Sequence, residues 1–218
     1  MKKLTALLLT VLLAVGISAC GAQEAAEPTV AATAAPTEAT APSVQAEQTA
    51  ETEAPAGGHK ILVAYFSATH TTQGVAERLA DGLTADLYEI VPAEPYTTAD
   101  LNYHDNNSRT TLETNDTSIR PAISGSVENM EQYDVIFLGY PIWWGDAPRI
   151  MSTFVESYDF TGKTVVPFCT SGGSGVGDSA SNLEKLAGSG TWLSGRRFSG
   201  SDSQEKLLSW VNDLNILG

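Results

Sequence analysis

Residues 60–72 read KILVAYFSATHTT, and this stretch decides the fold. The segment 60–66 is an apolar run with β-branched and aromatic side chains, the pattern of a strand buried on both faces of a parallel sheet. Residues 67–72 are rich in hydroxyl groups and lead directly into a helical pattern. A strand, a short polar loop and a helix in immediate succession predict the first unit of an α/β fold.

Other strand patterns follow at intervals along the chain. The runs 134–140 and 164–170 have the same buried character as the first, although Pro167 removes one donor from the sheet ladder. The run 86–91 is shorter and alternates, which is typical of a strand at or near the edge of a sheet. We place a short fifth strand near 191–193.

Segments with helical spacing lie between these strands. Apolar residues recur on one face in four of them: 72–83, 148–158, 180–187 and 204–214. Strands that alternate with helices require right-handed crossovers, so the sequence predicts a doubly wound, five-stranded parallel sheet.

The connection 92–132 interrupts this alternation. It has prolines at 92, 95 and 121 and a polar middle, and it is longer than a connection with one helix needs. A loop of this length is either functional or folded on itself. We therefore consider two interpretations: a helix-containing surface excursion, and a cover beside a ligand crevice.

The N-terminus has the pattern of an export signal. Lys2 and Lys3 precede an apolar run of about a dozen residues, too short for the ~20 that span a bilayer. Residues 17–20, Ile-Ser-Ala-Cys, resemble the lipobox of bacterial lipoproteins, in which the cysteine is lipidated. We predict a lipoprotein signal peptide at 1–20 and an extracytoplasmic protein anchored to the membrane by lipidated Cys20. A plain signal peptide with an incidental cysteine is the alternative.

The segment 21–58 consists mainly of Ala, Thr, Glu and Pro and contains no aromatic residue. Such a composition cannot bury a core, so we interpret it as a disordered linker. The domain then extends over 59–218. Cys169 is the one cysteine left in it, and its apolar surroundings predict a buried thiol.

The charges of the domain exclude one class of partner. Residues 59–218 carry 20 acidic and 10 basic side chains, scattered along the sequence, and a net charge of −10. A nucleic-acid-binding surface needs a basic stripe, so we expect no nucleic acid partner.

The loop after the first strand combines a helix start with four hydroxyl side chains. Backbone N–H groups, hydroxyl donors and the positive end of the helix dipole meet there, which favours a phosphate group. An ordinary helix cap is the plainer interpretation, but one hydroxyl is enough for that role. The predicted phosphate cradle comprises Ser67, Ala68, Thr69, His70, Thr71 and Thr72.

A second loop carries two adjacent tryptophans between a proline and a glycine. Neighbouring loop residues diverge, so at least one tryptophan is expected to be exposed or to cover a flat ligand. Asp146, directly after this loop, is predicted to cap the next helix. The predicted ligand-binding residues are Pro141, Ile142, Trp143, Trp144 and Gly145.

A third, glycine-rich loop follows the strand 164–170. Its glycines let backbone amides approach a ligand closely. In a parallel sheet, ligands bind beyond the carboxyl ends of the strands, so the three loops are expected to meet. The residues predicted to bind in this loop are Thr170, Ser171, Gly172, Gly173, Ser174 and Gly175.

The three loops in this order resemble those of flavodoxins. The first is similar to the family's phosphate loop, S-x-T-x-x-T, with His70 where the family usually has glycine. The segments 100–103 and 120–121 also resemble a bacterial flavodoxin subgroup. The resemblance covers 59–218 and implies strand order 2-1-3-4-5 and bound FMN. It further implies that the second loop packs against the isoalloxazine ring and the third hydrogen-bonds its pyrimidine.

By this resemblance, the protein is expected to transfer electrons through FMN to a redox partner protein or a small-molecule acceptor. An FMN-dependent reductase of quinones or other small acceptors is one alternative. A non-redox ligand-binding lipoprotein is an alternative of another class, although an aromatic platform opposite a phosphate cradle favours a flavin phosphate. We predict no catalytic side chain and no metal ligand.

Overall fold

The computed structural model describes residues 58–218. The predicted signal peptide 1–20 and all of the predicted linker except its last residue therefore lie outside the described residues. The strands are β1 (Ile61–Tyr65), β2 (Asp86–Glu89), β3 (Val91–Pro92), β4 (Ile123–Ser124), β5 (Val135–Pro141), β6 (Thr164–Thr170), β7 (Thr191–Trp192) and β8 (Arg196–Phe198). The helices are α1 (Thr71–Leu83), α2 (Arg109–Asn115), α3 (Arg149–Glu156), α4 (Ser179–Ala187) and α5 (Gln204–Leu214).

The main sheet is parallel throughout and has the order β2-β1-β5-β6-β7, with β8 also paired to β6. Val63 of β1 lies opposite Leu87 of β2 and Phe137 of β5, and Phe137 lies opposite Val166 of β6. When the five strands β1, β2, β5, β6 and β7 are numbered 1 to 5 in chain order, the order in the sheet is 2-1-3-4-5. The predicted fold class and strand order are confirmed.

Each face of the sheet carries its own apolar core, because successive side chains point to opposite faces of a strand. On one face, strand residues such as Val63 and Phe137 pack with α1 and α5, including Leu79 and Trp210. On the other face, residues such as Ile136 pack with α3 and α4. Helices on both faces explain why the central strands are almost continuously apolar.

The fifth position of the sheet is filled by two short strands, whereas the sequence predicted one at 191–193. Leu193 N–H donates to the Val165 carbonyl (2.9 Å), so the backbone of Val165 faces this edge. In a strand, the backbone N–H and C=O groups of residues two apart point to the same side, so the backbone of Pro167 faces the same edge as that of Val165. Proline has no N–H, so it cannot donate a hydrogen bond to a neighbouring strand there. The strand is interrupted between β7 and β8, beside this proline.

The strand predicted at 86–91 is wrong at its C-terminal end. β2 stops at Glu89, and Val91–Pro92 pairs antiparallel with Ile123–Ser124 as a separate ribbon. Pro92 has no N–H with which to extend the main ladder.

The connection 92–132 contains a helix, as expected. α2 begins after Ser108, whose hydroxyl accepts a hydrogen bond from the Thr111 N–H (3.4 Å). A 3-10 turn follows at Met130–Gln132.

Cys169 lies in β6 and is fully buried. Burial raises the pKa of its thiol to about 12, so it acts as a neutral packing residue, as predicted. Among the helices of residues 58–218, none has the length and apolar character needed to cross a membrane.

Candidate functional site: a crevice at the carboxyl edge of the sheet

A crevice of about 620 Å³ opens where β1, β5 and β6 end. All three predicted loops contribute to its lining, as the topology requires. Its volume falls within the range of roughly 300–1,000 Å³ that is usual for small-molecule sites. The lining residues from the three loops are Thr69, Thr71, Pro141, Ile142, Trp143, Thr170, Ser171 and Gly172.

The first loop starts α1 without a side-chain cap. His70 occupies the N-cap position in the left-handed conformation (φ 61°, ψ 0°), the region that favours the glycine usual in flavodoxins. Its Nδ1 lies 2.6 Å from Gln73 Oε1. The Gly74 N–H donates to the His70 carbonyl (3.1 Å), and it is the first backbone N–H of this helix that has a hydrogen-bond acceptor within residues 58–218. The preceding N–H groups are therefore available to a ligand.

The hydroxyl groups of this loop have two different positions. Thr69 and Thr71 are exposed and line the crevice. Thr72 is 1% exposed, and its hydroxyl lies 2.8 Å from that of Thr170. Thr72 thus joins the first loop to the end of β6. Ser67 and Ala68 are half-buried and lie outside the lining.

The two tryptophans of the second loop are separated by a tight turn. Trp143 N–H donates to the Asp146 carbonyl (2.9 Å), and Asp146 N–H donates to the Trp143 carbonyl (3.0 Å). Trp144 and Gly145, between them, both have positive φ (52° and 85°), as in a type I′ turn. Glycine adopts this conformation freely, whereas a bulky tryptophan rarely does.

This turn directs one tryptophan inward and the other outward. Trp143 is 4% exposed and packs edge-to-face with Phe66 (5.4 Å between ring centroids) and Tyr96 (5.1 Å). Trp144 is 46% exposed and meets Tyr103 at 5.6 Å. The expectation that at least one tryptophan is exposed is confirmed.

The third loop is open to solvent beyond its first residues. Thr170, Ser171 and Gly172 line the crevice, whereas Gly173, Ser174 and Gly175 are exposed and lie outside the lining. The Ser171 hydroxyl donates to the Ser174 carbonyl. The Ser171 carbonyl accepts from Arg197 Nη2 (2.9 Å).

The excursion 92–132 completes the crevice through Thr98, Leu101 and Tyr103. These three residues lie beside the crevice, as the interpretation of the segment as a cover predicts. The helix α2 lies further along the chain. These three residues were not among the binding residues predicted from the sequence. The signals that pointed to them were the length of the connection and the flavodoxin-like segment 100–103.

A cluster around a buried carboxylate holds this part of the excursion in place. Glu113 is 5% exposed and accepts hydrogen bonds from the Tyr96 hydroxyl (2.8 Å) and Arg109 Nε (2.7 Å). The Arg109 guanidinium also lies 4.1 Å from the centroid of the Tyr96 ring. Burial, and next the hydrogen bond to Glu113, raise the pKa of Tyr96, so its hydroxyl stays protonated as a donor.

Arg149 connects α2 to the second loop. Its Nε and Nη2 donate to the carbonyls of Glu113 (3.1 Å) and Thr114 (3.2 Å), and its Nη1 lies 3.5 Å from Asp146 Oδ2. The prediction that Asp146 caps the following helix is wrong. Pro148 occupies the N-cap position, and the Asp146 carboxylate instead accepts from the Ala147 N–H (2.9 Å) and pairs with Arg149.

No lysine or arginine lines the crevice in the described part of the chain. An anion there would depend on hydroxyl groups, backbone N–H groups and the dipole of α1. Residues 58–218 contain no group of three or more His, Cys, Asp or Glu side chains placed to hold a metal ion.

The family model for flavodoxin matches residues 60–214. The chain belongs to the flavodoxin family. Membership of this family supports FMN, the cofactor predicted from the sequence. Among curated proteins, no match to the chain is found.

Solved structures of flavoproteins are similar to this chain. A candidate flavoprotein from Bacteroides eggerthii is 48% identical, with a TM-score of 0.69, over 72% of this chain and 99% of its own. A candidate flavoprotein from Bacteroides uniformis is 44% identical, with a TM-score of 0.68, over 71% and 99%. A flavoprotein from Lactobacillus acidophilus, solved in complex with FMN, shares the fold at 20% identity (TM-score 0.55; 70% and 99% covered).

Proposed function

We propose that this protein is an exported, lipid-anchored flavodoxin that binds FMN in the crevice and passes electrons through it. One observation carries the proposal. The uncapped start of α1, with Thr69 and Thr71 beside it, opens into a crevice whose other wall includes Tyr103 and Trp143. A phosphate and a flat ring system need such a pair of surfaces.

The residues present fit this cofactor. The crevice offers hydroxyl and N–H donors at the first loop, where a phosphate would gain charge-assisted hydrogen bonds. Leu101, Ile142 and Trp143 supply apolar surface, and Thr170 and Ser171 supply polar groups on the opposite side. The FMN complex of the Lactobacillus acidophilus flavoprotein, which has the same fold, is consistent with this assignment.

When bound, FMN supplies one-electron and two-electron chemistry. The chain has the tasks of binding, orienting and shielding it. Thr69 and Thr71 would hold the phosphate end, while Tyr103 and Trp143 would limit the access of water to the rings. Trp144 and Tyr103 are both exposed at the rim of the crevice, where a redox partner would make contact.

The FMN assignment is tested by titrating the cofactor-free protein with FMN and with riboflavin. Thr69→Ala removes a hydrogen bond to a charged group, worth about 1.5–3 kcal/mol. We expect FMN to bind more tightly than riboflavin, and Thr69→Ala to weaken FMN alone. Equal affinities of the wild type for the two flavins would refute the phosphate site.

A reductase of small acceptors is favoured by a second observation. A neighbouring cavity of about 570 Å³ shares Thr98, Leu101 and Tyr103 with the crevice, which leaves room for a small molecule next to the cofactor. Potentiometric titration of the FMN-loaded protein distinguishes the two functions. Two separated one-electron steps support the carrier, whereas one two-electron step with turnover of a soluble quinone supports the reductase.

Export and anchoring rest on residues 1–20, above all on the lipobox-like sequence that ends at Cys20. We expect metabolic labelling with a fatty acid analogue to modify the wild type and leave Cys20→Ser unlabelled. The wild type is expected in the membrane fraction. Unlabelled wild-type protein in the soluble extracytoplasmic fraction would instead support a plain signal peptide.

A further inference from the structure

The segment 197–202, which comprises the end of β8 and the turn that follows it, passes beside both polar loops of the crevice. At one end, Arg197 Nη2 donates to the carbonyl of Ser171 in the third loop (2.9 Å). Further along, Gly200 lies against Thr71 of the first loop. A Cβ atom added at Gly200 would be only 2.9 Å from Thr71 Cγ2. One segment thus contacts two loops that follow different strands.

This segment is itself held from two helices. Arg78 of α1 donates from Nη2 to the Gly200 carbonyl (2.8 Å). The Asp202 carboxylate accepts from the Ser199 N–H (2.9 Å) and pairs with Lys206 of α5 (2.7 Å). Gly200 is therefore fixed by α1 on one side and by a closed turn on the other, and Thr71 has to adapt to it.

Gly200 is not required for its backbone conformation. It is absent from the positive-φ residues of the described chain, so an L-residue can adopt its φ without strain. What distinguishes glycine here is the missing side chain, which lets the segment approach Thr71 closely.

We propose that residues 197–202 form a brace that positions the two polar loops, with Gly200 setting Thr71 and Arg197 setting Ser171. The proposal rests on the proposed FMN site. Because Thr71 faces the crevice at the phosphate end, Gly200 becomes a positioning residue for the preference of the protein for a phosphorylated flavin. Arg197 acts at the other polar wall, so it affects both flavins equally.

The test uses Gly200→Ala, which adds one methyl group against Thr71. The displaced hydroxyl no longer meets the phosphate, so we expect the Kd for FMN to rise about tenfold, the loss typical of one hydrogen bond to a charged group. The Kd for riboflavin and the Tm of the cofactor-free protein are expected to stay unchanged.

Thr71→Ser supplies the matched control, because it removes Cγ2 and keeps the hydroxyl. The Kd for FMN of Thr71→Ser alone is the reference, since this variant keeps Gly200. The double variant Gly200→Ala/Thr71→Ser should bind FMN as tightly as Thr71→Ser alone, since the clashing atom is gone. Rescue by deletion of one methyl group separates positioning from general loss of folding.

Arg197→Ala tests the second arm of the brace. It frees the Ser171 carbonyl, and we expect the Kd values for FMN and riboflavin to rise by the same factor, about threefold for one exposed hydrogen bond.

The possible outcomes are distinct. If wild-type protein binds FMN and riboflavin equally, the proposed phosphate site is wrong and the brace has no such role. If the wild type prefers FMN but Gly200→Ala keeps that preference, or Thr71→Ser fails to rescue it, the site stands and the brace is overturned.

Discussion

The crevice is flanked on one side by packed aromatic and charged side chains, the packed wall, and on the other by the exposed glycine and serine residues of the third loop, the open wall. In the packed wall, residues 96–113 and 141–146, Trp143 contacts Tyr96, and Tyr96 is held by Glu113 and Arg109. In the open wall, residues 171–175, no atom of the described residues other than the chain neighbours lies within 4 Å of where a Cβ would be at Gly172, Gly173 or Gly175.

This difference assigns separate roles to the two walls. The buried residues of the packed wall belong to the core, so changes in them are expected to lower the free energy of unfolding as well as ligand affinity. The open wall makes few contacts within the described chain, so changes in it are expected to act on the bound ligand alone. The cofactor would thus meet one preformed surface and one adaptable surface.

The largest effect is expected from Trp143→Ala in the packed wall. Removal of a buried aromatic side chain leaves a cavity and costs about 3–5 kcal/mol of unfolding free energy. Trp144→Ala, its exposed neighbour, is the matched control and should cost less than about 1 kcal/mol. Urea unfolding of the cofactor-free proteins measures both. Similar losses for the two variants would contradict the inward and outward assignment.

Glu113→Ala is expected to have the second largest effect. It leaves Arg109 and the Tyr96 hydroxyl without their shared acceptor, at a cost of about 2–3 kcal/mol. Leu112→Ala, one residue away and 50% exposed in the wild type, serves as control with little change in stability. FMN affinity should fall in the first variant only. An unchanged unfolding midpoint for Glu113→Ala would show that the cluster does not hold the packed wall.

Gly145→Ala should have a moderate effect, because φ of 85° is unfavourable for any residue with a Cβ. The expected cost is about 1–2 kcal/mol, from strain in the turn that separates the two tryptophans. Thermal unfolding of the cofactor-free variant measures this cost. A fully stable variant would mean that the turn tolerates side chains at this position.

The smallest effect is expected from Gly173→Ala in the open wall. There is free space for the methyl group, and the residue has no positive φ, so stability should change by less than about 0.5 kcal/mol. Gly173→Ala and Gly145→Ala each add one methyl group. The difference between their free energies of unfolding therefore compares the two walls. A loss as large as that of Gly145→Ala would remove the distinction between them.

The sequence by itself determined the parallel sheet and the three loops at one edge, whereas the strand order was implied by the resemblance to flavodoxins. Unbroken apolar runs such as 134–140 can be satisfied only in strands covered on both faces, and parallel crossovers have one hand. Loops that follow such strands must meet at the carboxyl edge. The same local reasoning failed at 86–91 and at Asp146, where a proline a few residues on changed the boundary.

Tertiary structure alone decided which side chains of the loops face the crevice. Trp143 and Trp144 are equivalent in the sequence, and only the packing of Tyr96 and Phe66 selects the one that is buried. The sequence does not distinguish Thr72 from Thr69 and Thr71, but in the structure its hydroxyl forms a hydrogen bond with that of Thr170. Tyr103 and Gly200 also reach the site or its supports from distant segments. Such contacts depend on partners far along the chain, and no local spacing or propensity encodes them.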